Sequence, residues 1–179
     1  MKGVVFTEFL EMVEEAYSFE MVDRIIEASE LGSGGAYTTV GTYDHRELVQ
    51  LVVNLGRFTD EPVPDLVRRF GEYMFVRFFQ MFPVFFAESD TAFSFLAKVE
   101  GYIHIEVRKL YPDAELPSLL CETPEPGRFI MCYRSNRDFA DLAHGLILGC
   151  IAHFGEQIEV RREADVDPLG TFTRFTLTK

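Results

Sequence analysis

The apolar residues change periodicity once along the chain, and that change limits the fold more than any other feature. Through residue 111 they recur at three- and four-residue steps, the spacing of one helix face. Val4, Val5, Phe9, Leu10, Met12, Val13 and Ala16 predict an amphipathic helix over 2–17. A second is expected over 19–31, ending near the glycines at 32, 34 and 35. Residues 36–43 read as an irregular loop or short strand. A helix over 45–56 turns Leu48, Leu51, Val52 and Leu55 inward, Asp60 to Pro64 is a loop, and another helix covers 64–81 with a short one after Pro83. The longest pattern, 90–111, carries Phe93, Leu96, Val99, Ile103, Val107 and Leu110. Ser89 or Asp90 is placed to cap it, and Pro112 and Pro117 stop it. Beyond that point the period falls to two. Gly127 to Tyr133 reads as a strand, 156–163 and 171–178 alternate apolar and polar, and Asp165 to Gly170 carries turn chemistry. Only 138–153 returns to helical spacing, with Leu142, Leu146, Ile147 and Cys150 on one face. A helical part followed by a small antiparallel sheet with one inserted helix is an α+β arrangement.

The chain's 179 residues suit one domain with a sizeable core. Its 17 Lys and Arg stand against 29 Asp and Glu, a net charge of −12 that disfavours nucleic acid and anionic lipid as partners. Cys121, Cys132 and Cys150 form no CxxC pair, which argues against a disulfide framework and a thiolate zinc site. The start lacks a signal peptide's apolar core, and the richest apolar stretch, Tyr73 to Ala87, contains Arg77, Gln80 and Pro83. A reduced, cytoplasmic domain without a membrane span is therefore expected. There are 18 Phe and no Trp, so the chain holds either a heavily aromatic core or a pocket for a flat apolar ligand.

The conventional catalytic patterns are missing: no HExxH, no GxSxG and no glycine loop in dinucleotide order. Three other features carry chemistry. His104 sits at the border of the apolar stripe of the long helix, three residues after Gly101. A glycine there costs about 1 kcal/mol relative to alanine, which something bulky packed on that face would explain. The plainer reading is a boundary histidine satisfied by a carbonyl. Tyr133-Arg-Ser-Asn-Arg137 follows a strand. If extended, it points Tyr133, Ser135 and Arg137 the same way, a set suited to carboxylates. The alternative is a polar turn in which Ser135 or Asn136 caps the next helix. Phe75, Phe78, Phe79, Phe82 and Phe86 are spaced as a helical ladder, either core or the wall of an apolar pocket. An imidazole, a carboxylate clamp and an aromatic box together are what haem needs.

On these residues the sequence resembles the haem nitric oxide/oxygen binding (H-NOX) family, the bacterial relatives of the soluble guanylate cyclase sensor domain. The resemblance rests on the opening MKGVVF, a His shortly before LYPDAELPSL, and YRSNR after it, and it spans the whole chain. It implies a helical subdomain over about 1–63 and a haem-embracing subdomain over about 64–179, with haem b between them. It implies that His104 is the iron ligand and that Tyr133, Ser135 and Arg137 hold the propionates. Pro117 is then the proline that presses on the haem. Val5, Met74, Phe78, Phe82, Leu142 and Leu146 become the distal wall.

The resemblance also bears on function. Members that bind O₂ stably carry a distal tyrosine where this chain has Leu142, and the tryptophan that orients it is replaced by Met81. Phe139 and Ala140 cannot donate either. Bound O₂ would gain no charge-assisted hydrogen bond, whereas NO and CO depend less on one. The expectation is a non-enzymatic gas sensor for NO and CO, not O₂, that signals by conformational change to a separate protein, a histidine kinase or a cyclic-di-GMP enzyme. Three rivals stand beside it: a haem or tetrapyrrole storage or transfer module, a haem enzyme with peroxidase-like or NO-scavenging chemistry, and an iron-free interaction domain. His144 should point away from the distal face, and His45 should lie at a helix start. Residues 155–179 hold no Cys or His, so the family's occasional structural zinc is not expected.

Overall fold

The computed structural model of the chain describes residues 1–137 and 139–179. Four helices come first: α1 (Gly3–Ala16), α2 (Phe19–Glu27), α3 (His45–Thr59) and α4 (Val63–Met81). Helix α2 stops at Glu27, four residues short of the predicted end, and α3 runs on to Thr59, where Asp60 takes the left-handed conformation and ends it. Ser18 and Asp44 cap α2 and α3 with their side chains. Residues 36–43 form a loop that joins the chain start through the Lys2–Thr42 bridge and the backbone hydrogen bonds around it. Gly3 donates to the Gly41 carbonyl at 2.8 Å, and a Cβ at Gly3 would stand 1.8 Å from the Thr38 oxygen, so only glycine fits.

The expected long helix over 90–111 is broken into three. Helix α5 (Ala92–Lys98) gives way to a π turn (Val99–Ile103) and then to α6 (His104–Leu110). A periodicity of three and four steps does not distinguish a continuous α-helix from one carrying a single inserted residue, which is what a π turn is. The cap is neither Ser89 nor Asp90 but Thr91, which forms a reciprocal capping box with Ser94.

Among the described residues the sheet has four antiparallel strands in the order β1-β2-β4-β3. They are β1 (Ser118–Glu125), β2 (Arg128–Arg134), β3 (Glu159–Asp167) and β4 (Gly170–Thr178). Strand β1 was not foreseen, because Pro124 and two glutamates interrupt its alternation; its pairing with β2 carries an irregularity between Glu122 and Glu125. Strand β3 begins three residues later and ends four residues later than predicted, so the turn shrinks to Pro168 and Leu169. The inserted helix α7 is Ala140–His153; Asp138, within its predicted start, lies outside the described residues.

Two apolar clusters result. One joins α1, α2, α3 and the first half of α4 around Phe6, Phe9, Ile25, Leu51, Leu55, Leu66 and Phe70. The other joins α5, α7, β2 and β4 around Phe95, Phe129, Ile147, Cys150, Phe175 and Leu177. Helix α4 feeds both, Met74 facing the first and Phe75 the second. It lies against α7 at close range because Gly71 and Gly145 meet there. A Cβ on Gly145 would be 1.9 Å from the Arg68 oxygen, and one on Gly71 would be 2.4 Å from the Leu142 oxygen. Among the described residues no helix is long and apolar enough to cross a membrane.

Candidate haem site

His104 is the first residue of α6, and the π turn aims it. Its backbone N–H reaches five residues back to Val99. The side chain is buried, and its Nδ1 lies 2.9 Å from the Glu100 carboxylate. A carboxylate accepts, so Nδ1 carries the proton and Nε2 presents its lone pair. Burial holds His104 below the ordinary imidazole range against the opposing pull of Glu100, so the ring is neutral at neutral pH, the form that ligates a metal. Glu100 was not singled out from the sequence. The signal available was its spacing of four residues from the histidine. The same Glu100 oxygen accepts the Leu119 N–H of β1 at 3.2 Å, two residues after the half-buried Pro117. No side chain presses on Gly101, since a Cβ there would meet no protein atom within 4 Å.

The YRSNR motif is only partly extended. Tyr133 lies in β2 opposite Leu119 and is buried, whereas 135–137 turn out of the strand. The same-side projection expected for all three residues therefore stops at Arg134. Ser135 accepts the Arg137 backbone N–H at 3.1 Å. It does not cap α7, whose cap residue is Phe139, without a side-chain bond. The Ser hydroxyl organises the turn and keeps its own proton to donate. The Arg137 guanidinium pairs with Glu115, a side chain more than three-quarters exposed. Arg137 and Asn136 line a cleft of about 450 Å³ with Met1, Thr42, Tyr43, Asp44, His45, Arg46 and Glu115. The chain start, the α3 start and the YRSNR turn thus converge, and the cleft carries two guanidiniums, Arg46 and Arg137, each paired with a carboxylate, Asp44 and Glu115.

The expected distal residues fall together with one exception. Val5 of α1, Met74 and Phe78 of α4, and Leu142 and Leu146 of α7 all belong to or pack on the first cluster. Phe82 lies outside it but continues the line. Its ring is 6.5 Å from Phe78 and 5.9 Å from Phe85, and Phe85 meets Tyr102 of the π turn at 5.9 Å. Aromatic contacts therefore run from α4 to the segment that aims His104, through Phe85 and Tyr102, which the spacing of the Phe ladder does not single out. The ladder itself divides: Phe75 and Phe86 enter the second core, and Phe79 is exposed. The wall side chains are all apolar. Among the described residues the buried hydroxyl of Tyr73 has no hydrogen-bond partner, and the charges of Glu15, Arg77, Glu8 and Glu11 act on it.

The other titratable candidates lie elsewhere. His144 packs near the Phe175 ring at 5.8 Å, on the sheet side of α7, away from Leu142 as expected. His153 is exposed among Phe75, Phe79, Phe86 and Phe154, and His45 begins α3. Burial pushes the Cys121 thiol up to about 11 and Cys150 higher still, so both stay protonated.

These residues fit haem. Among the described residues no three His, Cys, Asp or Glu side chains form a metal cage. A neutral imidazole with a free Nε2, a cleft with an arginine and an apolar wall are the side-chain types that would suit an iron, the carboxylates and the macrocycle of a haem.

The haem-NO-binding family profile matches residues 2–162. No curated protein sequence matches the chain. A mutant H-NOX protein from K. algicida in the unliganded Fe(II) state is 40% identical, with a TM-score of 0.92, covering 100% of this chain and 96% of its own. The H-NOX of Shewanella woodyi, solved in the Fe(II)CO state with IWP-051 bound, is also 40% identical, with a TM-score of 0.85 and coverage of 100% and 94%. A mutant H-NOX of T. Tengcongensis, 22% identical with a TM-score of 0.89 over 99% of this chain and 97% of its own, shares the fold. Fold, motif order and family profile agree, and the chain belongs to the haem-NO-binding H-NOX family of haem-based gas sensors, with haem as its cofactor.

Proposed function

We propose that this chain senses NO and CO, not O₂, and passes the signal to a separate protein in the cytoplasm. The carrying observation is the wall of Val5, Met74, Phe78, Leu142 and Leu146, which offers no hydrogen-bond donor. When bound, haem supplies a ferrous iron that takes a diatomic gas. His104 holds that iron through Nε2, with Glu100 fixing the tautomer. Tyr133, Ser135 and Arg137 hold the propionates, with Arg137 exchanging the exposed Glu115 for a ligand carboxylate. Pro117 presses on the macrocycle, and Phe82 extends the distal wall. Polarised O₂ finds no charge-assisted bond in such a wall, whereas NO and CO need none.

Signalling follows from where His104 is tied. It begins α6, and its Glu100 partner holds β1. A displacement of His104 is therefore felt by the proximal helix and the sheet together. The helical part over about 1–63 then shifts against 64–179. A partner responds only by binding one arrangement more tightly than the other, so it contacts a surface that differs between them. A histidine kinase or a cyclic-di-GMP enzyme is the partner class this family resemblance favours.

The test is the absorption spectrum of the anaerobically reduced, haem-loaded protein, followed by NO and air in separate samples. An NO-shifted spectrum without a stable O₂ complex is expected. A ferrous–O₂ spectrum that persists in air refutes the selectivity. In His104→Gly supplied with imidazole, NO should no longer control the partner, and preserved control overturns the role of His104.

A further inference from the structure

We infer that Glu100 is a positioning residue that sets how hard His104 holds iron; the inference rests on the reading of His104 as the ligand. Glu100 sits in the π turn with its side chain about one-third exposed. Its Oε2 accepts hydrogen bonds from the His104 Nδ1–H at 2.9 Å and the Leu119 N–H at 3.2 Å, and its Oε1 lies 3.8 Å from Arg108. The backbone bond to Leu119 matters to the argument. A surface glutamate four residues from a histidine would swing freely and contribute little. Here a β-strand amide fixes the carboxylate, so its position relative to the imidazole is set by tertiary structure and not by side-chain rotamers.

A carboxylate accepting from Nδ1 raises the basicity of the opposite nitrogen. Nε2 of His104 thus becomes a stronger donor to iron than a histidine bonded to a carbonyl or to water. Two consequences are measurable. The iron–histidine bond is stiffened, and the ferric state is favoured over the ferrous because an anion stands one imidazole away. Arg108, on the far oxygen, tempers the effect without cancelling it, being nearly half exposed.

The decisive variant is Glu100→Gln in the haem-loaded protein. Glutamine keeps an oxygen that accepts from both His104 and Leu119, so the fold is retained and only the charge is removed; Glu100→Ala removes both. In the unliganded ferrous protein, the iron–histidine stretching band should fall in E100Q and fall further in E100A. The midpoint potential should rise in E100Q, by about 59 mV if the ferric-to-ferrous ratio changes tenfold. A role limited to tying the helix to β1 would leave both readouts of E100Q at their wild-type values, and that result overturns the proposal. If E100A does not fold, E100Q decides alone. The two layers of the reading fail differently. Absence of the band in the wild type, or its survival in His104→Gly without imidazole, sinks His104 as ligand and Glu100 with it. A band lost in His104→Gly but unmoved in E100Q sinks Glu100 alone.

Discussion

Gly145→Ala tests how α4 and α7 pack on each other within the part over about 64–179. The added Cβ stands 1.9 Å from the Arg68 oxygen and 2.8 Å from the Gly71 Cα, all backbone atoms with no rotamer to escape into. A tolerable carbon–oxygen approach is about 3.3 Å, so α4 and α7 must part by roughly 1.4 Å along that line. A gap of about 1 Å already forfeits a quarter to a half of each dispersion contact it opens. Overpacking of this kind costs about 3 kcal/mol, the upper end of its usual range, because backbone and not side chain must yield. Alanine returns about 1 kcal/mol through helix propensity. The net loss of about 2 kcal/mol lowers Tm by about 4–8 °C in a chain this long. Gly101→Ala is the control: its Cβ meets no protein atom within 4 Å, so without haem it should be neutral or raise stability by up to about 1 kcal/mol. Thermal unfolding of the haem-free proteins by circular dichroism reads both. A Gly145→Ala protein that melts within a degree or two of wild type would refute the claim that backbone contact at the α4–α7 crossing is obligatory.

Leu142→Tyr places a phenol on the apolar wall; one charge-assisted hydrogen bond is worth about 1.5–3 kcal/mol, so O₂ dissociation from the ferrous protein should slow by about tenfold to a hundredfold. Stopped-flow O₂ release checks this, and an unchanged rate would remove Leu142 from the distal wall. Arg137→Ala should speed haem transfer to a scavenger protein by at least about tenfold, since a charge-assisted clamp is lost; transfer at the wild-type rate would mean the propionates bind elsewhere. His144 is held below the ordinary imidazole value of 6.5, first by burial and then by Arg68 and Arg162, with Asp141 opposing. The unfolded chain therefore takes up this proton more readily than the folded one. The resulting stability is present above pH 6.5 and lost as pH falls below it, so Tm should drop between pH 7 and 5 less steeply in His144→Gln than in wild type. Equal slopes would refute it.

The candidate site was legible in the residues that haem chemistry constrains by type. His104, Tyr133, Ser135 and Arg137 stand out because histidines number only four and the motifs sit in the order that the family resemblance requires. Glu100 and Glu115 were not legible in the same way. They are two of the 29 acidic residues, and nothing in composition separates a carboxylate that accepts from His104 or pairs with Arg137 from one in solvent. Strand β1 was hidden for a related reason: its outward residues face water and its pattern is cut by Pro124, so pairing with β2 and not periodicity makes it a strand. The π turn left no mark because one inserted residue preserves three- and four-step spacing over the short α5 and α6 on either side of it.

The sequence by itself determined the class of most segments, β1 and the π turn apart, because burying one face demands a period and the period is written in the order of apolar residues. It also determined which side chains have the chemistry to hold haem. Tertiary structure alone decided which of them meet. The approach of Gly71 to Gly145 brings Met74, Phe78, Leu142 and Leu146 onto one cluster, the chain start closes over the YRSNR turn, and the Leu119 amide pins Glu100 under His104. Each of these is a contact between residues far apart in the chain, fixed by close packing, and a one-dimensional pattern carries no distance across space.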